Sequence, residues 1–131
     1  MTYTQTTHDI CVTVTPFFLE EASRHEDGLY MWAYQVTIQN NRDIDIQLRR
    51  RHWRIINANG KIQEVRGVGV LGVQPILPAG HTYDYASGVA LTTPSGIMGG
   101  TYSLETSCHE WLIVEIPSFS LDSPYQKILF N

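Results

Sequence analysis

LYMWAYQVTIQN, Leu29 to Asn40, alternates without a break: Tyr30, Trp32, Tyr34, Val36 and Ile38 keep one parity, and Met31, Ala33, Gln35, Thr37 and Gln39 the other. A period of two sustained over this length describes a half-buried strand. Upstream, Ile10, Val12 and Val14 alternate with Cys11, Thr13 and Thr15 in a second strand, which Pro16 confines to a sheet edge or to its own end. Downstream, Ile44, Ile46 and Leu48 hold one parity and Trp53 and Ile55 the other, so a bulge or bend is predicted near Arg49 to Arg51. NANG, 57–60, supplies Asn and Gly for a hairpin turn, and KIQEV returns as the next strand. HTYDYASGVAL, TYSLET and EWLIVEI are three further segments rich in Tyr, Val, Ile and Leu, separated by Gly, Pro and Ser clusters. LEEASRHED, 19–27, has room for one helical turn at most before Gly28. The predicted fold is all-β, about seven strands in a two-layer antiparallel β-sandwich. It forms one domain over 1–131, with no internal repeat and with 1–8 and 122–131 as loosely held ends.

RGVGVLGVQP, Arg66 to Pro75, carries Gly67, Gly69 and Gly72 in the spacing G-x-G-x-x-G, which in dinucleotide-binding folds opens a helix beneath a pyrophosphate. Pro75 and Pro78 stop such a helix, so the dipole and free N–H groups it would supply are missing. No P-loop is present either, since the one Gly-Lys pair is Gly60-Lys61 and the position five before Gly60 is Ile55. Two readings stay open. The glycines serve a tight strand-to-strand crossing or a close backbone approach, or they line a concave nest of N–H groups that takes an anion beside Arg66.

The chain of 131 residues is the size of one domain and suffices for one core. Apolar residues at 43% and charged residues at 17% are a globular balance. MTYTQTTH has neither a basic cluster nor an apolar run, and no stretch reaches 18 apolar residues, so a cytoplasmic protein without membrane spans is expected. Cys11 and Cys108 are too few for a disulfide scaffold. A net charge of −4 argues against general nucleic-acid binding. Of the nine Lys and Arg residues, Arg42, Arg49, Arg50, Arg51, Arg54, Lys61 and Arg66 lie between 42 and 66, one basic band on an otherwise acidic chain.

RRRHWRIINANGKIQEVRGVGVLGVQPILPAGHTYDYASGVALTTPSGIMGGTY, Arg49 to Tyr102, resembles the ApaG family. There an R-H-W strand, an N/D-G hairpin, V-R-G-x-G-V-x-G-x-Q-P, a P-G, a Y-x-S-G and a T-P-S-G-x-M-x-G-x-Y follow in this order. MWAYQVTIQN and VEIPSFSL extend the likeness over about positions 8 to 121. Val68 and Val73 stand where the family commonly has acidic residues, which makes this segment more apolar. The resemblance implies a sandwich of the fibronectin type III or immunoglobulin-like kind. It attaches no catalytic residues. It implies an association of bacterial members with cobalt tolerance and magnesium efflux, and a protein-binding role where the domain is fused to F-box and polymerase-interacting proteins.

No G-x-S-x-G or C-x-x-C motif is present, Ser87 and Ser95 read as turn residues, and Glu20-Glu21 and Glu26-Asp27 as solvated charges, so no enzyme and no cofactor are expected. His8 and Cys11 near one end, and Cys108, His109 and Glu110 near the other, are metal-ligand types without restricting spacing and read as loop residues. His52 reads as a strand residue hydrogen-bonded to its neighbours and Trp53 as core. The expected function is a non-enzymatic binding module, its partner a protein or an anionic small molecule. The contact residues expected are Arg50, Arg66, Gly67, Gly69 and Gly72, on a mobile loop beside guanidinium groups. The alternative is a divalent-cation-linked protein that touches metal directly.

Overall fold

The computed structural model describes residues 1–126. Its strands are β1 (Tyr3–Thr7), β2 (Ile10–Phe18), β3 (Tyr30–Asn40), β4 (Ile46–Asn57), β5 (Ile62–Val68), β6 (Ile76–Leu77), β7 (Thr82–Leu91), β8 (Ser95–Thr106) and β9 (Trp111–Asp122). Two single 3-10 turns, Glu20–Ala22 and His25–Asp27, fill the span between β2 and β3. One sheet runs β1-β2-β3-β7 and the other β5-β4-β8-β9, with β6 paired to β4 in line with β5. Every pairing is antiparallel, and the chain changes sheet from β3 to β4, from β6 to β7 and from β7 to β8. The predicted all-β, two-layer antiparallel sandwich is therefore the observed architecture.

The alternation in Leu29 to Asn40 makes β3 a central strand, with Val36 and Ile38 fully buried beside Ile10, Val12 and Val14 of β2. Leu48, Leu104, Val114 and Leu121 close the core from the facing sheet. Each such side chain contributes about 1.5–3 kcal/mol by leaving water. Trp53 joins the layers, its ring 5.2 Å from that of Tyr34 and 6.2 Å from that of Phe119. The predicted parity change is a bulge, since the β4–β8 register shifts between Leu48 and Arg50. NANG forms the predicted turn, where Asn57 Oδ1 accepts from the N–H groups of Asn59 and Lys61. Pro16 keeps its sheet because β1 begins opposite Val14, leaving the proline nitrogen on an unpaired margin of β2.

Residues 1–8 are not a loose end, because Tyr3 to Thr7 pair in register with Val14 to Ile10. The connecting His8 and Asp9 both take positive φ, 52° and 61°. Neither is the Asn-Gly pair by which such turns are usually read, and β1 itself is polar except for Tyr3, whose ring lies 5.8 Å from Phe119. At the other end Asp122 closes β9, Ser123 is buried, and Tyr125 stacks on His25 at 4.3 Å; the rest of the expected loose end, 127–131, lies outside the described residues. Ser87 is no turn residue but sits within β7, opposite Tyr34. β8 starts at Ser95, well before TYSLET, because SGIMGG is extended and bulged between Met98 and Gly100.

Candidate functional site

The three glycines lie at the end of β5 and in the hairpin that follows it. Val70 N–H donates to Val73 O at 2.8 Å and Val73 N–H returns to Val70 O at 3.0 Å around a two-residue turn, Leu71-Gly72, with φ of 49° and 79°. Gly69 N–H donates to Arg49 O at 2.8 Å. These amides are engaged within the protein, and the segment turns carbonyls toward a cation instead: Arg51 Nη1 donates to Gly69 O at 2.9 Å and to Val68 O at 3.3 Å. Gly67 makes room for that guanidinium, since a Cβ there would lie 2.5 Å from Arg51 Nη1. Val70 is buried and pins the hairpin to the core. The expected mobile loop is thus an anchored hairpin, and its backbone matches the tight-crossing reading of the motif.

Beyond the bulge, β4 sends Trp53 and Ile55 inward and Arg50, His52 and Arg54 outward. Register sets Val68, Arg50, Ser103 and Ile113 in one row across the outer face, and Arg66, His52, Thr101 and Glu115 in the next. Arg50, His52, Arg66, Gly67, Val68 and Thr101 line a shallow hollow there, and Arg51 reaches its wall beside Gly67. Three predicted residues, Arg50, Arg66 and Gly67, therefore meet; Gly69 is buried behind them, and Gly72 stands at the exposed hairpin tip. Arg66 is 3.7 Å from Glu64, with its side chain 71% exposed. His52 Nε2 lies 3.4 Å from the same carboxylate but makes no well-aligned hydrogen bond, unlike the bonded strand histidine expected. Among the described residues Arg50 and Arg54 form no ion pair.

Two other members of the basic band, Arg49 and Arg42, are paired with carboxylates. Arg49, the bulge residue, donates from Nε to Glu105 Oε1 at 2.9 Å and from Nη1 to Gln74 Oε1 at 3.1 Å. Hydrogen bonds from His109 and Arg49 hold the Glu105 carboxyl below its ordinary value. Arg42 bridges the two candidate metal groups: Nη1 donates to the His8 carbonyl at 3.2 Å and Nη2 lies 3.9 Å from Glu110. A guanidinium thus occupies the meeting point of the two ends. Cys11 and Cys108 are free thiols, and among the described residues no group of three or more His, Cys, Asp or Glu is placed to hold a metal ion.

Sequence reasoning noted apolar Val68 but missed that Ile76, Trp111 and Ile113 share its face. Val68 and Ile76 are each 62% exposed, and Trp111 and Ile113 each 53%. Trp111 lies in the row of Glu105, Gln47 and Ile76, one row from Ile113 and Val68. EWLIVEI carried the signal, because Trp111 and Ile113 alternate with Leu112 and Val114 and so place apolar groups on both sides of one strand.

A family model described as ApaG domain matches residues 20–106. The protein ApaG of Paramagnetospirillum magneticum is 50% identical over 129 residues, covering 98% of this chain and 99% of the relative. That of Sinorhizobium fredii is 49% identical over 122 residues, covering 93% and 94%. A crystal structure from Bordetella pertussis superposes with a TM-score of 0.86 at 40% identity, over 90% of this chain and 96% of that one. Among the described residues no helix is long and apolar enough to cross a membrane.

Proposed function

Since the chain belongs to the ApaG domain family, we propose that it is a non-enzymatic binding module and that its partner is a protein presenting an acidic surface to the outer face of the β5-β4-β8-β9 sheet. The observation that carries this reading is the juxtaposition of Arg50 and Arg66 with exposed Val68 and Ile113 in adjacent rows. Arginine offers bidentate hydrogen bonds to carboxylates, and arginine with exposed aromatic and aliphatic groups is the composition of protein interfaces. At the tip of the adjoining hairpin, Leu71 is held at φ 49° and 62% exposed, strained without being buried, as residues kept for contact often are. His52 and Arg66 share Glu64, an arrangement that holds charge and does not activate a nucleophile.

Binding through such a rim is expected to be weak and salt-sensitive. The test is affinity capture from cell lysate at low and moderate salt, with the native chain and with the Arg50→Ala/Arg66→Ala variant. Proteins held at low salt by the native chain should be lost from the variant, while its Tm stays within a few degrees, because both substitutions are at the surface. A folded double variant that retains every captured protein at low salt would show that the arginines are not the contact.

A further inference from the structure

Among the described residues the sandwich has four sheet edges, and one of them is undefended. β1 is short and is covered along its side by β9, where Glu115 N–H donates to Thr7 Oγ1 at 3.2 Å. β5 carries Glu64 and Arg66, and β9 carries Glu115, Pro117 and Asp122, the kinds of residue that discourage further strand pairing. β7 is 10 residues long, TYDYASGVAL, with no proline, no lysine and no break in its register against β3. Its one charge, Asp84, accepts a hydrogen bond from Thr37 Oγ1 at 2.6 Å. His81 O accepts from Asn40 N–H across the ladder, so in the unbroken register the odd-numbered residues of β7 bond to β3. The amides of Ala86, Gly88 and Ala90 then point away from the sheet, each beside a side chain no larger than a methyl group.

Next to this edge the two sheets part, and the opening between β5 and β7 is lined by Tyr34, Arg51, Trp53, Val65, Ser87 and Val89. Arg51 is half-buried there, on the opposite side of β4 from Arg50, and among the described residues no carboxylate pairs with it. Among the described residues its charge is met only by the Gly69 and Val68 carbonyls. The hydroxyls of Tyr34, Tyr85 and Tyr102 lie within its field, but burial holds them protonated, so they leave that charge uncompensated. A partly buried cation without a counter-charge is costly and favours an incoming anion.

We propose that β7 accepts an extended segment of a partner protein by β-strand addition, with an acidic side chain of that segment set against Arg51 and an aliphatic side chain two positions along packed on Val65 and Val89. Backbone bonds to Ala86, Gly88 and Ala90 supply register, and alternate side chains of the added strand turn into the opening. Arg51 lines both this opening and the hollow of Arg50 and Arg66, but the site uses neither Arg50 nor Arg66.

The experiment is an amide NMR titration of the full chain with an acetylated, amidated peptide of about eight residues. The peptide alternates threonine and valine, with one central valine replaced by glutamate. Saturable shifts are expected to centre on Ala86, Gly88 and Ala90. Replacing the glutamate with glutamine should weaken binding about tenfold or more. Ala86→Pro removes an outward N–H while sparing the ladder to β3 and should abolish binding. Should that variant misfold, Ala90→Lys places a charge on the same edge and should do likewise. Arg50→Ala/Arg66→Ala should leave the titration unchanged. Shifts confined to the Arg50 and Arg66 face, equal binding of the glutamate and glutamine peptides, binding that survives the folded edge variants, or β7 shifts that track protein self-association without peptide would each overturn the proposal.

Discussion

Gly69 and Gly72 stand three positions apart in one motif, yet the structure loads them very differently. A Cβ on Gly69, at φ +61°, would sit 1.9 Å from Val73 O, a backbone atom locked in the hairpin; one on Gly72, at φ +79°, would meet nothing within 4 Å. Gly69→Ala is therefore expected to cost about 3 kcal/mol or more, because both strain and a backbone clash must be relieved. Gly72→Ala should cost about 1 kcal/mol, the left-handed penalty alone. Leu71→Asn creates the favoured Asn-Gly turn and should stabilise the chain by about 0.5–1 kcal/mol. Urea unfolding of the three variants measures all of this, and a Gly69→Ala cost no larger than that of Gly72→Ala would mean the hairpin is not anchored. The spacing of the glycines was legible from the sequence, but their separate tasks were not. Those depend on where Arg51 and the Val73 carbonyl arrive, and no local pattern encodes either.

Among the elements, β1 departs furthest from expectation. Its five residues cover the flank of β2 and seat Tyr3 against Phe119, so removing residues 1–7 should lower stability by about 2–4 kcal/mol while leaving the remaining sheet pairings intact. Thermal unfolding of the truncated chain, with hydrogen exchange at β2, checks this; an unchanged Tm would return β1 to the status of a loose end. The strand went unread because Thr4, Gln5 and Thr6 show water the same polar face that a disordered end would show. The opposite case is β4, where the parity step between Leu48 and Trp53 announced its bulge, since a shift of one residue would otherwise turn the core face outward. That bulge also turns Arg50 to the outer face and Arg51 toward the opening between the sheets.

At the scale of the molecule, the facing sheets bury a tyrosine cluster, with Tyr85 and Tyr102 joined hydroxyl to hydroxyl and Tyr34 beside them. Burial raises all three above the ordinary tyrosine value of 10.0. The folded value is the higher one, so this contribution to stability is complete below pH 10.0 and is lost as the pH rises beyond it. Alkaline titration should show phenolate absorbance from these tyrosines appearing together with loss of the β circular-dichroism signal. Ionisation of all seven tyrosines near pH 10.0 in a still-folded chain would contradict the buried cluster. The sequence by itself determined the strands that alternate, the turn at NANG, the parity step in β4 and the absence of a dinucleotide-binding helix, because each is settled by residues within a few positions of one another. Only the tertiary structure decided which strands neighbour one another, that β7 is left as an open edge, and which arginines find carboxylates. Those outcomes depend on pairings between residues far apart in the chain, such as Arg49 with Glu105 and Arg51 with the Gly69 carbonyl, and a period of two specifies which face a residue takes but not what it meets there.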